Sequence, residues 1–233
     1  ATLVVKRIRG IRRAAMGPVL PTATGKMLLC DCGANAECTP EYLLQFAYLG
    51  SYYAKRVLGI ETPRVALLNI GAEASKGDAL RHEAYTVLKE AGDAGRIHFV
   101  GNLEASEAMM GGADVVVADG FSGNIMLKSL EGTAKFLMKE LKKMFLSSTK
   151  TKLAAGLVKG DLAEVKKLLD PSEVGGTPFL GISRPVIKAH GSSDAKAICN
   201  AVLRAKEYAE SGFIADVERD VALMKVERTA ENV

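Results

Sequence analysis

Apolar and polar residues follow one another along this chain in patterns that alternate between short runs and longer periodic segments. Short apolar runs predict strands at 27–32, 65–70, 97–100, 115–118 and 186–189. Longer segments with one apolar face predict a long helix from 124 and further helices at 40–58, 78–91, 106–110, 193–210 and 214–226. Because strands and helices alternate with connections of ordinary length, we expect an α/β fold with a doubly wound, mostly parallel sheet.

The first 25 residues fit this alternation less well. Val4, Ile8 and Ile11 have helical spacing, but no capping residue precedes them, so they resemble the end of a helix that lacks its beginning. Residues 17–25 are rich in glycine and proline and predict a loop.

The apolar run at 115–118 ends in a turn that leads into the long helix. A run so short and so apolar is typical of a strand covered on both faces, and ligands of α/β sheets bind beyond the carboxyl ends of such strands. Asp119 and Asn124 in this turn are therefore candidates for chemistry, and Gly120 and Gly123 would let a ligand approach the backbone closely. Alternatively, Asp119 only caps the helix and the glycines only form the turn.

Polar residues also follow three other predicted strands. They are Asp31, Gly33 and Asn35; Asn69, Glu73 and Lys76; and Lys188, His190, Ser192, Ser193 and Asp194. We expect all four strand ends to bring their polar side chains to one edge of the sheet, where a binding site would form.

Lys76 lies between Ser75 and Gly77 in a loop that leads into a helix. A cation beside the free N–H groups of a helix start favours an anion such as phosphate. The order of residues does not match a Walker A loop, in which glycine precedes lysine, so a nucleotide kinase is disfavoured. The alternative is a solvated loop lysine without a function.

His190 is followed by Gly191, Ser192, Ser193 and Asp194, and we expect one of the two serines to cap the helix that begins there. At a helix start, the imidazole could donate a hydrogen bond or a proton to an anionic substrate. Alternatively, the histidine is structural. A serine hydrolase is disfavoured because the chain lacks a Gly-x-Ser-x-Gly turn.

The composition is that of an ordinary globular protein of 233 residues, with 48% hydrophobic and 25% charged residues. We expect residues 1–233 to form one α/β domain, without a signal peptide or a membrane span. The four cysteines suggest a reducing compartment. Cys30 and Cys32, two apart in a predicted strand, should share a face, and with His82 as the nearest histidine we expect free thiols and no metal site.

The net charge of +4 is unevenly distributed. Residues 1–13 hold five Lys or Arg and no acid, residues 139–169 hold eight Lys against three acids, and the remainder carries a net charge of −6. Two basic surfaces on an acidic body indicate an anionic partner, either an acidic protein or a lipid surface. Nucleic acid is disfavoured because no nucleic-acid-binding motif accompanies the charge.

Lysines alternate with apolar residues at about 139–170, which we call the lysine-rich segment. The pattern predicts two amphipathic helices joined by a turn, a hairpin that either covers the core, makes a dimer contact, or binds an acidic carrier or an anionic membrane. The candidate contact residues are Lys142, Lys143, Phe145, Leu146, Lys150, Lys152, Leu157 and Lys159.

Five motifs in the chain occur together in a known family. They are LLCDCGAN at 28–35, LLNIG at 67–71 with KG at 76–77, FVGN at 99–102, DVVVADGFSGN at 114–124 and KAHGSSDA at 188–195. In order and spacing they resemble the bacterial phosphate acyltransferases of phospholipid synthesis, the PlsX family. The resemblance covers nearly the whole chain.

This resemblance implies a reaction in which an acyl-[acyl carrier protein] and orthophosphate give an acyl phosphate and free carrier, without a cofactor. It also implies a fold like the isocitrate and isopropylmalate dehydrogenases, a homodimer, and a cytoplasmic enzyme that is peripherally associated with the membrane. The lysine-rich segment resembles the element of that family that contacts carrier and membrane.

The chain also departs from the family. The family usually has residues other than cysteine at Cys30, Cys32 and Cys38. It also usually has a different sequence at residues 12–15. An N-terminal portion with an Asp-Ala-Met-Gly-Gly-Asp motif is missing, so the sequence resembles a fragment.

As a hypothesis, Lys76 and helix starts hold orthophosphate while its oxygen attacks the thioester carbonyl. Lys76, His190 and Asn124 would stabilise the oxyanion, and Asp119 and Asp194 would orient these donors. The rival functions are a phosphotransacetylase that acts on coenzyme A thioesters and a carrier- or membrane-binding fragment without catalysis. The further substrate-binding candidates are Gly33, Asn35, Asn69, Gly120, Gly123, Ser192 and Ser193.

Overall fold

The computed structural model describes residues 1–168, 175–191 and 193–226, and they form two sheets. The larger sheet has five strands in the order β2-β3-β6-β4-β5, and the smaller one has three in the order β1-β7-β8. The strands are β1 (Ala15–Met16), β2 (Val19–Thr22), β3 (Gly25–Cys30), β4 (Arg64–Leu68), β5 (His98–Leu103), β6 (Val115–Val117), β7 (Thr177–Leu180) and β8 (Ile187–Lys188).

Four strands of the larger sheet are parallel, and only β2 at its edge runs antiparallel to its neighbour. Strand β6 lies in the centre between β3 and β4, and all three of its valines are buried. The prediction of an α/β fold with a mostly parallel sheet is therefore confirmed. The carboxyl ends of β3, β4, β5 and β6 meet at one edge, which we call the carboxyl edge.

Helices follow the strands of the larger sheet in the predicted order. They are α1 (Pro40–Arg56), α2 (Ala79–Asp93), α3 (Ala105–Met109), α4 (Gly120–Phe145), α5 (Thr149–Leu157), α6 (Lys159–Leu168), α7 (Ala195–Glu210) and α8 (Phe213–Asp220), with a final 3₁₀ helix at Val221–Met224. Local sequence explains where they start: for α1, Thr39 accepts a hydrogen bond from the Tyr42 N–H and Pro40 occupies the first turn.

Two apolar clusters cover the two faces of the larger sheet. Leu28 and Val115 belong to the first cluster, which includes most of α1 and the aromatic side chains of Tyr53, Tyr208 and Phe213. Met27, Leu29, Ala66, Val116 and Met126 belong to the second. Successive residues of one strand thus face opposite layers, as strand geometry requires, and both faces are buried.

The segment predicted as a helix end at 3–11 is not helical. Turns occupy its first residues, and the chain then lies against the smaller sheet, where the Ile8 N–H donates to the Gly181 carbonyl at 3.0 Å. Ile8 and Ile11 are buried, whereas Val4 is exposed. The helical spacing of the three residues was misleading because burial here depends on contacts with residues far along the chain.

The loop predicted at 17–25 is also wrong, because it contains β2. This strand pairs with β3 in a hairpin, and Pro21 is accepted because it lies in an edge strand. The predicted last strand at 186–189 is reduced to two residues, β8, in the smaller antiparallel sheet. Three predicted strand ends therefore share the edge of one sheet, and the fourth belongs to the other sheet.

Two smaller predictions also need correction. Cys30 and Cys32 do not share a face, since β3 ends at Cys30 and the two thiols lie in different apolar clusters. Asp194, rather than Ser192 or Ser193, caps α7, because its carboxylate accepts the Ala197 N–H at 2.8 Å.

The lysine-rich segment begins inside α4, which runs without interruption to Phe145, and it continues through α5 and α6. No residue of α5 or α6 is buried in the described part of the chain. Residues 169 and 170 of this segment lie outside the described residues.

Candidate functional site at the carboxyl edge

The carboxyl edge of the larger sheet collects polar residues from four strands. Asp31 directly follows β3, Asn69 directly follows β4, Asn102 lies near the end of β5, and Asp119 follows β6 by two residues. Asp31, Asn102 and Asp119 are buried. The edge therefore carries charged and polar groups held away from water, which is the environment in which active sites form.

The Asp31 carboxylate organises the turn after β3. It accepts backbone N–H groups of Met16 at 2.8 Å, Cys32 at 2.6 Å, Ala34 at 3.3 Å and Asn35 at 2.7 Å. The Asn35 side-chain amide donates to the same carboxylate at 3.0 Å. Burial raises the pKa of Asp31, and these hydrogen bonds only partly oppose that effect. Because both carboxylate oxygens accept hydrogen bonds from the protein itself, Asp31 serves to hold this turn together.

Asn35 connects that turn to two other segments. Its side-chain amide donates to the Ala14 carbonyl at 2.8 Å, and its own carbonyl accepts the Gly120 N–H at 2.7 Å. The start of α4 is therefore fixed to the turn after β3.

Gly120 and Gly123 allow this contact between α4 and the turn. A Cβ on Gly120 would lie 2.5 Å from the Asn35 carbonyl oxygen, and one on Gly123 would lie 2.0 Å from the Asp31 carbonyl oxygen. The space beside both glycines is thus filled by the chain itself, which accounts for them without a ligand. Their predicted role in substrate binding stays a prediction.

Gly33 and Asn124 face each other across the same junction. Gly33 has a φ of +96°, a conformation that favours glycine, and a Cβ there would lie 3.5 Å from the Asn124 side-chain oxygen. Asn124 is exposed in the first turns of α4. Its amide is therefore available beside the turn after β3.

Asp119 caps α4 and is paired with an arginine that the sequence reasoning missed. One carboxylate oxygen accepts the Ser122 N–H at 2.9 Å, and the other forms an ion pair with Arg81. Arg81 also donates to the Ser122 hydroxyl at 2.8 Å and to Asp78, the cap of α2, at 2.9 Å. Only 15% of the Arg81 side chain and 6% of the Asp119 side chain are exposed. Arg81 thus joins the starts of α2 and α4.

The loop that carries Lys76 is held by two asparagines. The Asn69 amide donates to the Lys76 carbonyl at 2.9 Å, and the Asn102 amide donates to the Glu73 carbonyl at 2.8 Å. Gly77, with a φ of +99°, turns the chain from this loop toward α2. The Lys76 side chain is exposed. The backbone of the loop is therefore fixed while its cation faces solvent.

Strand β8 of the smaller sheet approaches the turn after β3 through Lys188. The Lys188 ammonium lies 4.0 Å from the sulfur of Met16, whose N–H donates to Asp31. The Ser193 N–H donates to the His190 carbonyl at 3.0 Å. Lys188 therefore approaches the carboxyl edge, and Ser192 lies outside the described residues.

Buried thiols near the edge are poor nucleophiles. Burial raises the pKa of Cys32 and of Cys38 to about 12 and raises that of Cys30 as well. Over the described ranges, no group of three or more His, Cys, Asp or Glu side chains is arranged to hold a metal ion. Over the same ranges, each helix is too short or too polar to cross a bilayer.

Most of the chain matches a known family and several known proteins. A family described as fatty acid synthesis protein matches residues 1–216. A phosphate acyltransferase of Oceanobacillus iheyensis is 52% identical over 208 residues, which cover 89% of this chain and 61% of the relative. Phosphate acyltransferases of an Exiguobacterium species and of Geobacillus thermodenitrificans are each 48% identical, over 94% of this chain and 66% of the relative. The chain thus spans somewhat less than two thirds of the length of these relatives.

Solved structures share the fold at lower identity. A phosphotransacetylase from Streptococcus pyogenes matches with a TM-score of 0.57 and 18% identity, over 88% of this chain and 56% of that one. The EutD phosphotransacetylase from Staphylococcus aureus matches with a TM-score of 0.56 and 16% identity, over 90% and 58%. These two likenesses concern the fold alone. The match over residues 1–216 and the identities near 50% show that the chain belongs to the fatty acid synthesis protein family, which it shares with the bacterial phosphate acyltransferases.

Proposed function

We propose that this chain is a phosphate acyltransferase that moves an acyl group from a carrier protein to orthophosphate. The observation that carries the proposal is the 52% identity to a phosphate acyltransferase over 89% of the chain. The geometry of the carboxyl edge supports it, since an exposed lysine on a fixed loop and two joined helix starts suit an anionic substrate.

In the proposed reaction, an orthophosphate oxygen forms a bond to the thioester carbonyl carbon. The carbon–sulfur bond then breaks, and the carrier leaves as a thiolate that takes up a proton. Lys76 and the N–H groups at the start of α2 hold the phosphate, because a helix start and a cation both favour negative charge. The oxyanion that forms at the carbonyl is stabilised by Lys76, His190 and Asn124. The chemistry needs no cofactor and no metal.

Asp119 and Asp194 contribute to the proposed reaction by positioning the helices near the donors. Asp119 caps α4 and pairs with Arg81, and Asp194 caps α7, so each holds the start of a helix that carries or adjoins a proposed donor. The further substrate-binding residues of the proposal are Gly33, Asn35, Asn69, Gly120, Gly123, Ser192 and Ser193.

The proposal extends to assembly and location. Residues 1–233 form one α/β domain, arranged as in the isocitrate and isopropylmalate dehydrogenases, and two chains form a homodimer in the cytoplasm. The lysine-rich segment forms a protruding hairpin, and the absence of buried residues in α5 and α6 supports a role in contacting an acyl carrier protein or an anionic membrane surface.

The substitution Lys76→Ala tests the phosphate site. We expect phosphate-dependent cleavage of a long-chain acyl carrier protein, with acyl phosphate trapped by hydroxylamine, to fall at least about a hundredfold, as it does when an oxyanion donor is removed. Lys89→Ala, an exposed lysine of α2 that pairs with Asp93, is the matched control and should keep full activity. Full turnover by Lys76→Ala would contradict the assignment.

The same assay separates the two candidate acyl donors. The sequence left a phosphotransacetylase that acts on coenzyme A thioesters as a rival function, and two solved phosphotransacetylases share the fold of this chain. When both thioesters are assayed in parallel, acyl-coenzyme A should react far more slowly than the acyl carrier protein. The reverse preference would replace the first proposal by the second.

A further inference from the structure

The lysine-rich segment lies far from the proposed site of chemistry. Asn124 is in the first turns of α4, and Lys142 and Lys143 are in its last turn. At 1.5 Å per residue, this helix separates them by about 30 Å. A carrier bound at the end of α4 would hold its acyl group at that distance from the carboxyl edge.

A second basic surface lies next to residues that contact the turn after β3. Arg7, Arg12 and Arg13 line a concavity of about 380 Å³ together with Tyr42, and we call it the arginine concavity. All three arginines are exposed. They belong to the first 13 residues, which contain five basic residues and no acid.

Neighbouring groups hold these arginines in place. The Arg13 guanidinium lies over the Tyr42 ring, 5.8 Å from its centre, and Arg7 donates to the Ile11 carbonyl at 3.1 Å. Arg12 pairs with Glu41 at 3.1 Å. One carboxylate against three guanidinium groups leaves the concavity positively charged. Pre-arranged arginines of this kind suit carboxylates of a partner, which they can bind in bidentate fashion.

The chain leads directly from this concavity to the candidate site. Ala14, the residue after Arg13, accepts the hydrogen bond from the Asn35 amide, and the Met16 N–H binds Asp31. On its other side, Tyr42 belongs to the first turn of α1, which begins shortly after Asn35. The arginine concavity therefore borders the turn after β3.

We propose that an acidic protein that carries the acyl group as a thioester docks on the arginine concavity. The proposal rests on the proposed function and assigns the docking surface for its acyl donor. Complementary charge brings such a carrier to the concavity, and the segment that leads from Arg13 to the turn after β3 places its thioester beside the carboxyl edge. Of the two partners proposed above for the lysine-rich segment, this assignment leaves the anionic membrane surface.

A binding experiment on the full chain tests this without requiring turnover. The binding of acyl carrier protein is measured by calorimetry at low and high salt for the unchanged chain, for Arg7→Glu with Arg13→Glu, and for Lys142→Glu with Lys143→Glu. The two variants change the charge by the same amount. We expect the first to weaken binding at least about tenfold and the second less than about twofold, with binding weaker at high salt.

Two results would overturn the proposal: a larger loss in the lysine variant, or equal affinities in all three proteins. Vesicles of anionic phospholipid form a further arm, and loss of vesicle binding with unchanged carrier binding in the arginine variant would assign the concavity to lipid. If the Glu substitutions lower the melting temperature, the binding is measured instead for Arg7→Gln with Arg13→Gln. Because these change the charge by half as much, we expect about half the change in binding free energy.

The proposed function can fail separately. Binding that depends on the arginines in a chain that releases no acyl phosphate would uphold the docking surface and reject the reaction. Turnover in which the Michaelis constant for the carrier is the same in the unchanged chain and the arginine variant would uphold the reaction and reject the docking surface.

Discussion

Arg81 illustrates how one residue can determine the geometry of a site. Its guanidinium contacts Asp78 at the start of α2 and Asp119 and Ser122 at the start of α4, and all but 15% of its side chain is buried. A buried carboxylate that loses its cation is costly because water cannot solvate it. The ion pair therefore fixes the start of α2 to the start of α4.

Arg81→Met should destabilise the chain by about 3 kcal/mol, the cost of leaving a buried charge without its partner. The free energy of unfolding from denaturant titration measures this. Lys89→Met is the control, since it breaks an exposed ion pair with Asp93 and should change the stability by less than about 1 kcal/mol. Equal effects of the two substitutions would show that the Arg81 pair contributes no more than a surface contact.

The cysteines differ in exposure, and this difference predicts their reactivity. Cys30 and Cys32 are buried, Cys38 is partly buried, and Cys199 on α7 is exposed. At about pH 8, a thiol reagent should modify Cys199 rapidly in the native chain, because burial keeps the pKa of the other three thiols high. Cys199→Ser should remove this fast reaction, and a fast reaction that persists in that variant would contradict the described burial.

At the scale of elements, α4 combines a tightly packed start with an unsupported end. Gly120, Gly123 and Met126 near its beginning are buried, and the later turns carry exposed apolar side chains such as Phe136 and Leu137. A side chain added in place of glycine should therefore affect stability differently at the start and in the middle of this helix.

The pair Gly123→Ala and Gly132→Ala tests this difference within α4. Gly123→Ala should destabilise the chain by about 2 kcal/mol or more, because the new Cβ overlaps the Asp31 carbonyl. Gly132→Ala should stabilise it by about 0.5–1 kcal/mol, since nothing lies within 4 Å of a Cβ there and alanine favours a helix. Thermal and denaturant unfolding measure both, and a stabilising Gly123→Ala would refute the close contact.

At the scale of the whole molecule, ion pairs join segments that are distant in sequence. Arg56 at the end of α1 donates to Asp216 in α8 at 2.5 Å, and Arg219 donates to the same carboxylate at 2.8 Å. Only 8% of the Asp216 side chain is exposed. The Arg56 contact attaches α8 to α1 in the layer that covers the larger sheet, whereas the Arg219 contact lies within α8.

The hydrogen bond from Arg56 holds the pKa of Asp216 below its usual value. Because this pKa is lower in the folded than in the unfolded chain, the ionised carboxylate stabilises the fold above the unfolded-state pKa, about 3.9. The contribution is lost as the pH falls through the folded-state pKa. Asp216→Asn should therefore reduce the loss of unfolding free energy between about pH 5 and pH 2. The control is Asp93→Asn at an exposed ion pair, which should change the free energy of unfolding by less than about 1 kcal/mol.

Local sequence was sufficient for the elements whose burial depends on their own residues. The apolar runs that became β3, β4 and β6 are covered on both faces, and the Thr39-Pro40 start of α1 satisfies its own N–H groups. The polar residues after these strands were likewise predictable, since parallel strands place their carboxyl ends at one edge. The α/β class, the mostly parallel sheet and the meeting of three polar strand ends at one edge thus followed from the sequence alone.

Tertiary structure decided what depends on partners far along the chain. The short strands β1, β7 and β8 exist only through pairing with one another, and Ile8 is buried by the smaller sheet. Arg81 contacts Asp119, which lies 38 positions later in the chain. The residues around Arg81 in the sequence do not indicate this contact. Burial and ion pairing between distant residues depend on how the layers meet, and local patterns of polarity carry no information about that.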